Sequence, residues 1–417
     1  MAATERERMQ RRLGRTALAA AWTAFLYSYV IRFMWAAMMP EVEQALGVSA
    51  AQSSYIMSIF YLGYVGMQAP AGLLTDLIDE EILLAASMGF SGLLTLANSK
   101  MHSLGVGLVC RFLAGISAGL VYPSSIRLIS RLFHNQNSTT AMGIFMTSVS
   151  AGMIVCNSLL PLTLLSFGWR ESVAIAGMAG VIGSAVPLLF RVIYKGELSV
   201  LRKGINVNSV QSAKQEEERE YLLSSPKGTI DRSTVAFWLT GCFGMWATTG
   251  SIPWLFTYLR ETRGLPISTA GIVLTVFSCV SVFGGPIAGM LSRTVFRSEK
   301  RTIVVGLICY AGALIALSVT RSPGAMWILV MVLGFFVFFG DAPRNAMLAN
   351  IVADGSGGPM IGLSNTVWQI GLVLSPWIVG KIVVLSGNRY DYVLISLAAA
   401  AMVGAVCALF IGERGCA

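Results

Sequence analysis

Of the 417 residues, 55% are hydrophobic and only 12% charged, and the mean hydropathy is +0.69, whereas an ordinary soluble domain is about one-quarter charged. That composition excludes a water-soluble core. The formal net charge of +9 does not point to nucleic acid either, because the arginines fall between apolar blocks instead of gathering on one soluble face beside aromatic platforms.

In chain order, residues 1–15 form a basic tail with five arginines, followed by an apolar block longer than the core of a cleavable leader. It reads as a retained first helix. Further blocks follow, giving spans at 16–39, 52–75, 82–99, 104–127, 139–165 and 172–194, then 233–258, 267–292, 302–320, 325–348, 361–386 and 390–412. Blocks of about 18 to 27 residues rising 1.5 Å each cross a hydrocarbon layer of about 30 Å. The expectation is an all-α membrane protein of twelve transmembrane helices in two six-helix halves, 16–194 and 233–412, with a polar central loop at 195–232 and a short tail at 413–417. Glu216, Glu217, Glu218, Arg219 and Glu220 in the central loop read as a solvated segment.

Basic residues favour the cytoplasmic side of short loops. The tail's arginines, against Glu41 and Glu43 in the first return loop, place both termini in the cytoplasm, together with Arg131, Arg293, Arg297, Lys300 and Arg301. The halves also echo one another: Gly115, Gly119 and Pro123 in the fourth span parallel Gly334, Gly340 and Pro343 in the tenth. Two such halves suit a transporter that rocks about a site at their interface.

Cys110, Cys156, Cys242, Cys279, Cys309, Cys407 and Cys416 lack the paired spacing of a metal site, and six of them sit in apolar blocks as packing residues. His102 and His134 lie far apart in loops, so no zinc cluster or hydrolase triad assembles. Neither an enzyme nor a cofactor is expected.

The second span ends Gly72-Leu-Leu-Thr-Asp76, which resembles the Gly-x-Leu-x-Asp core of the major facilitator superfamily's signature, with one extra residue. The series Tyr29-Val-Ile-Arg32, Pro40, Leu46-Gly47-Val-Ser49, Ser58-Ile-Phe60, Gly63-Tyr64 and Gln68-Ala-Pro70-Ala-Gly72 is similar to the anion:cation symporter family within it. So are Arg111-Phe-Leu-Ala-Gly115, Gly168-Trp-Arg170, Trp254-Leu-Phe-Thr-Tyr258-Leu259 and Gly362-Leu-Ser-Asn365 with Pro376 and Gly380. The resemblance covers nearly the whole chain and implies a major facilitator fold carrying an organic anion such as a sugar acid, dicarboxylate or phosphate. It departs at Ile31 and Ala118, where the family commonly has acids, and at Asp79, Glu80 and Glu81, where its loop is usually basic.

Charges inside a membrane persist when they face a cavity or a partner. Arg32 lies deep in the first span, and its planar donor fork matches a carboxylate or phosphate. Substrate binding competes there with structural pairing or gating. Arg111 shapes either structure or coupling. Asp341 and Arg344, one turn apart, form either a neutralising pair or a replacement proton carrier with its partner. The resemblance adds Tyr29, Tyr64 and Asn365 to the substrate site and Asp76 to the gate; Gln369 lies one turn beyond Asn365 on the same face.

These readings combine in a secondary transporter of a small organic anion, working as a monomer in the cell's inner membrane. Its coupling stays open between a proton through Asp341, a sodium ion, a counter-transported anion, and a facilitated carrier with no coupling ion. An exporter of a neutral or cationic compound calls for a negatively charged cavity instead of two buried arginines. A transport-dead sensor of the same fold calls for a signalling domain or a long tail.

Overall fold

The computed structural model describes residues 2–133, 136–196, 231–351 and 357–412, the side chains at 2–11, 69, 76, 136–140, 349–351 and 357–362 excepted. The charge run of the central loop, His134 and the last five residues therefore lie outside the described residues, as does the Asp76 side chain.

The first half comprises α1 (Ala2–Leu46), α2 (Ala50–Leu77), α3 (Glu80–Ser99), α4 (Leu104–Gly119), α5 (Val121–Leu132), α6 (Gln136–Phe167), α7 (Trp169–Gly183) and α8 (Ala185–Ile193). The second comprises α9 (Arg232–Glu261), α10 (Ile267–Thr294), α11 (Glu299–Val319), α12 (Pro323–Phe336), α13 (Asp341–Ile351), α14 (Gly357–Leu385) and α15 (Asp391–Leu409). The described residues form twelve crossings, because α4 with α5, α7 with α8, and α12 with α13 are each one crossing broken in two. The broken crossings share a feature that permits the break. Pro123, Pro187 and Pro343 each stand three residues after the break at Leu120, Ser184 or Gly340, where a ring without an N–H removes a hydrogen bond from the preceding turn.

Ten of the twelve crossings are apolar enough by themselves to span a membrane. The other two are α2, diluted by Tyr, Ser, Gly and Gln, and α9, diluted by Trp, Thr and Gly. Both have extensive protein contacts: α2 packs on α4 and α14, and α9 on α14 and α15, with every residue from Gly250 to Leu259 buried.

The packing of one half repeats in the other. α1 lies on α6 as α9 lies on α14, α3 on α7 as α11 on α15, and α2 on α4 as α10 on α12. Glycines hold the last pair of contacts at matching places: a Cβ on Gly115 would stand 2.1 Å from the Phe60 carbonyl oxygen, and one on Gly334 2.5 Å from that of Phe277. The echo between the fourth and tenth spans is thus an equivalence of packing. Between the halves, α2 meets α14, α6 meets α10 and α1 meets α9.

Several motif residues turn out to shape connections. Gly47, with φ +65°, takes the left-handed conformation between α1 and α2, and Ser49 then caps α2 in a reciprocal box with Gln52. Gly168, with φ +85°, turns α6 into α7, where Arg170 donates to the carbonyls of Ser99 at 3.0 Å and Met101 at 2.9 Å. The acids at the start of α3 are not a solvated loop. Glu80 and Glu81 are each 1% exposed; Glu80 pairs with Arg127 at 3.1 Å and Arg131 at 2.8 Å, and Arg191 pairs with Asp79 and Glu81, all within the first half.

Candidate functional site

A cavity of about 430 Å³ opens between the halves. Its walls come from Phe25 and Tyr29 of α1, the later residues of α2, Tyr122 of α5, the early part of α6, Met245 of α9, the later part of α10, α13, and the first turns of α14. The opposite end is shut. Arg260 pairs with Glu41 across the halves at 2.7 Å, Asn157 donates to the Ser278 hydroxyl at 2.9 Å, and Gly380 and Gly271 let α14 and α10 lie against Ser54 and Pro161. The family-like segment Trp254–Leu259 belongs to this seal, with Tyr258 donating to the Leu317 carbonyl at 2.8 Å.

Tyr29, Tyr64, Asn365 and Gln369, reached from the sequence, all line the cavity, and so do Asp341 and Arg344. Arg32 stands directly behind that wall. Its guanidinium lies 4.5 Å from the ring centre of Tyr29, 4.4 Å from that of Tyr64 and 5.7 Å from that of Tyr61. It is 4% exposed, and neither Nε nor Nη2 has a hydrogen-bond partner among the described residues. A cation in low dielectric without a carboxylate is costly, and electron-rich ring faces offset part of that cost. The arrangement is a charge held ready one ring's thickness from the cavity.

Arg111 does not line the cavity. It is fully buried, donates from Nη1 to the Ile31 carbonyl at 3.0 Å and from Nε to that of Ile56 at 3.4 Å, and lies 4.2 Å from the Phe60 ring centre. Its bonds therefore tie α4 to α1 and α2. Asp341 and Arg344 form an ion pair at 2.5 Å, with Arg344 over the Trp368 ring at 4.7 Å.

Tyr122, Gln68, Asn345 and Trp368 also line the cavity and escaped the sequence reading as site residues. Helical spacing reaches two of them, since Gln68 follows Tyr64 and Asn345 follows Asp341 by four positions. Tyr122 depends on the break at Leu120, and Trp368 on the rotation of α14, neither of which has a local signal. Gln369 Oε1 and Gln68 Nε2 are buried without a partner among the described residues, so lining residues of both halves carry unsatisfied polar atoms. Such a lining, with few charges and several amides and tyrosines, suits a small polar molecule.

The model of the Major Facilitator Superfamily matches residues 21–376 and 237–415. Among curated proteins, the chain is 24% identical over 369 residues to the probable galactarate/D-glucarate transporter GudP of Bacillus subtilis strain 168, covering 84% of this chain and 81% of that protein. It is 23% identical over 401 residues to a D-galactonate transporter of Escherichia coli O6:H1, covering 91% and 90% of the two chains. The probable sulfoacetate transporter SauU of Cupriavidus necator is 22% identical over 404 residues, covering 93% and 91%. In fold, the chain is similar to a bacterial homologue of the human lysosomal transporter Spinster in its inward-facing, unoccupied conformation, with a TM-score of 0.71 at 15% identity over 96% and 95% of the two chains.

Proposed function

The chain belongs to the Major Facilitator Superfamily, and from that premise we propose that it carries a small organic anion, a carboxylate of the sugar-acid kind, across a membrane by alternating access. The observation that carries this reading is the Arg32 guanidinium, buried without a carboxylate among the described residues and separated from the cavity only by Tyr29 and Tyr64. A turn of either ring opens the guanidinium to an incoming carboxylate, which its planar fork can hold by two parallel bonds. Asn365 and Gln369 bind the cargo's hydroxyls from the other half. Relatives named as galactarate/D-glucarate, D-galactonate and sulfoacetate transporters support an anionic cargo.

The halves 16–194 and 233–412 then rock about the cavity, joined through 195–232. Both termini lie in the cytoplasm of an inner membrane, as the five arginines of the tail favour. The carrier acts as a monomer. Asp341, its side chain 39% exposed at the cavity wall, is the acid placed to couple transport to a proton, while a sodium ion or a counter-transported anion serves a carrier that leaves Asp341 charged. Arg111 and Asp76 serve coupling or gating, Arg111 through the bonds that tie α4 to α1 and α2.

Uptake into proteoliposomes of labelled sugar acids, dicarboxylates, monocarboxylates and sulfoacetate tests the reading. At least one of these accumulates or exchanges, and the Arg32→Ala variant does neither. Absence of any anion flux in the wild-type protein refutes it.

A further inference from the structure

Two guanidiniums approach the cavity from opposite halves, and they differ in company. Arg32 has no carboxylate among the described residues, whereas Arg344 holds that of Asp341 at 2.5 Å. Asp341 and Arg344 are also the only charged side chains among the described residues lining the cavity.

The two members of the pair are not equally fixed. Arg344 is 8% exposed and lies over the Trp368 ring at 4.7 Å, so its position is set from behind. Asp341 is 39% exposed and is brought to Arg344 by its place one turn earlier in α13. The contact is also incomplete. Among the described residues, Asp341 Oδ1 accepts from Nη2 alone, and the buried Nε, which lies on the same edge of the guanidinium plane, has no partner. That edge can hold a carboxylate by two parallel bonds, which are stronger and more directional than one.

A carboxylate resting by a single bond on a guanidinium at a cavity wall occupies the place of a cargo carboxylate. We propose that Arg344 is a second anion anchor, that Asp341 is its resident counter-ion, and that the pair makes the carrier select cargo with an acidic group at each end. The inference rests on the anion-carrier reading above. One end of such a cargo engages Arg32, and the other displaces Asp341 by forming two bonds to the Nε and Nη2 edge where Asp341 forms one. Displaced Asp341 turns into the water it already touches. Cargo with a single acidic group gains nothing at Arg344, because its neutral end cannot compete with a carboxylate for a cation. Bridging the two anchors ties one half to the other, which a monoacid held at Arg32 does not do.

The test uses purified full-length protein and three matched pairs: galactarate with D-galactonate, succinate with butyrate, and sulfoacetate with acetate. Affinities come from thermal shift, confirmed by competition with uptake into proteoliposomes. For the pair that binds, the wild type favours the diacid by about tenfold or more, the difference expected of an added charge-assisted bidentate contact. In Arg344→Gln that preference collapses, in Arg344→Lys it is intermediate because the charge remains without the fork, and in Asp341→Asn diacid affinity rises. Arg32→Gln weakens both members of the pair. A preference unchanged in Arg344→Gln, a weaker diacid in Asp341→Asn, or a wild type that favours the monoacid overturns the inference and leaves the anion-carrier reading standing. Binding of none of the six acids by the wild type overturns that reading itself. Should Arg344→Gln not fold, Arg344→Lys and Asp341→Asn decide.

Discussion

Arg32 and Arg111 are buried arginines of the same half, but their surroundings give them opposite weights in stability. Arg111 binds carbonyls of two other helices, so Arg111→Ala loses charge-assisted bonds of about 1.5–3 kcal/mol each as well as packing, and unfolds at a lower temperature. Arg32 has two unsatisfied nitrogens, each costing about 1–3 kcal/mol, against cation–π contacts of about 0.5–2 kcal/mol. The penalty wins. Arg32→Met is therefore expected to unfold at a higher temperature than wild type without ligand and to lose stabilisation by anions, the trade between stability and function that binding sites show. Thermal unfolding with and without ligand checks both variants. The sequence already marks both arginines, because a charge amid apolar residues stands out in any window. It does not distinguish them, since the distinction lies in carbonyls and rings contributed by α1 and α2.

At the scale of elements, several close helix contacts run through glycine to backbone, where nothing soft can yield. Gly115→Ala and Gly334→Ala push a methyl group to 2.1 Å and 2.5 Å from a carbonyl oxygen, so each is expected to cost about 1–3 kcal/mol or more by overpacking. Gly66 and Gly312 have nothing within 4 Å of such a methyl group, and alanine there gains about 1 kcal/mol of helix propensity. Thermal unfolding of the four variants separates the two classes. The crossings themselves are legible in the sequence, because lipid demands apolar runs of a set length, and their ends fall within a few residues of the helix ends except for the long α1. The breaks are not: Pro123, Pro187 and Pro343 follow them, yet Pro70, Pro161, Pro253, Pro286 and Pro376 sit within continuous helices. Proline permits a break, and tertiary packing decides which one is taken.

For the molecule as a whole, one end of the interface is sealed and the other holds the cavity, so transport requires the seal to part. The Glu41–Arg260 pair crosses it at 2.7 Å with side chains 24% and 18% exposed. Joining Glu41→Cys to Arg260→Cys with a cleavable bis-thiol reagent, in a background lacking the other reactive cysteines, is expected to stop uptake while leaving ligand binding from the open end. Cleavage restores uptake. Continued uptake by the joined protein rules out rocking at that seal. A different consequence follows from α2 and α9, the two crossings that spend their surface on neighbours and fall short in hydropathy. During synthesis each segment is judged largely by its own partition into lipid, and these two are poor candidates for leaving the translocon unaided. Retention of α2 and α9 in the bilayer is thus expected to depend on the neighbours that cover them, so truncations that remove α14 lower it more for these two crossings than for the others.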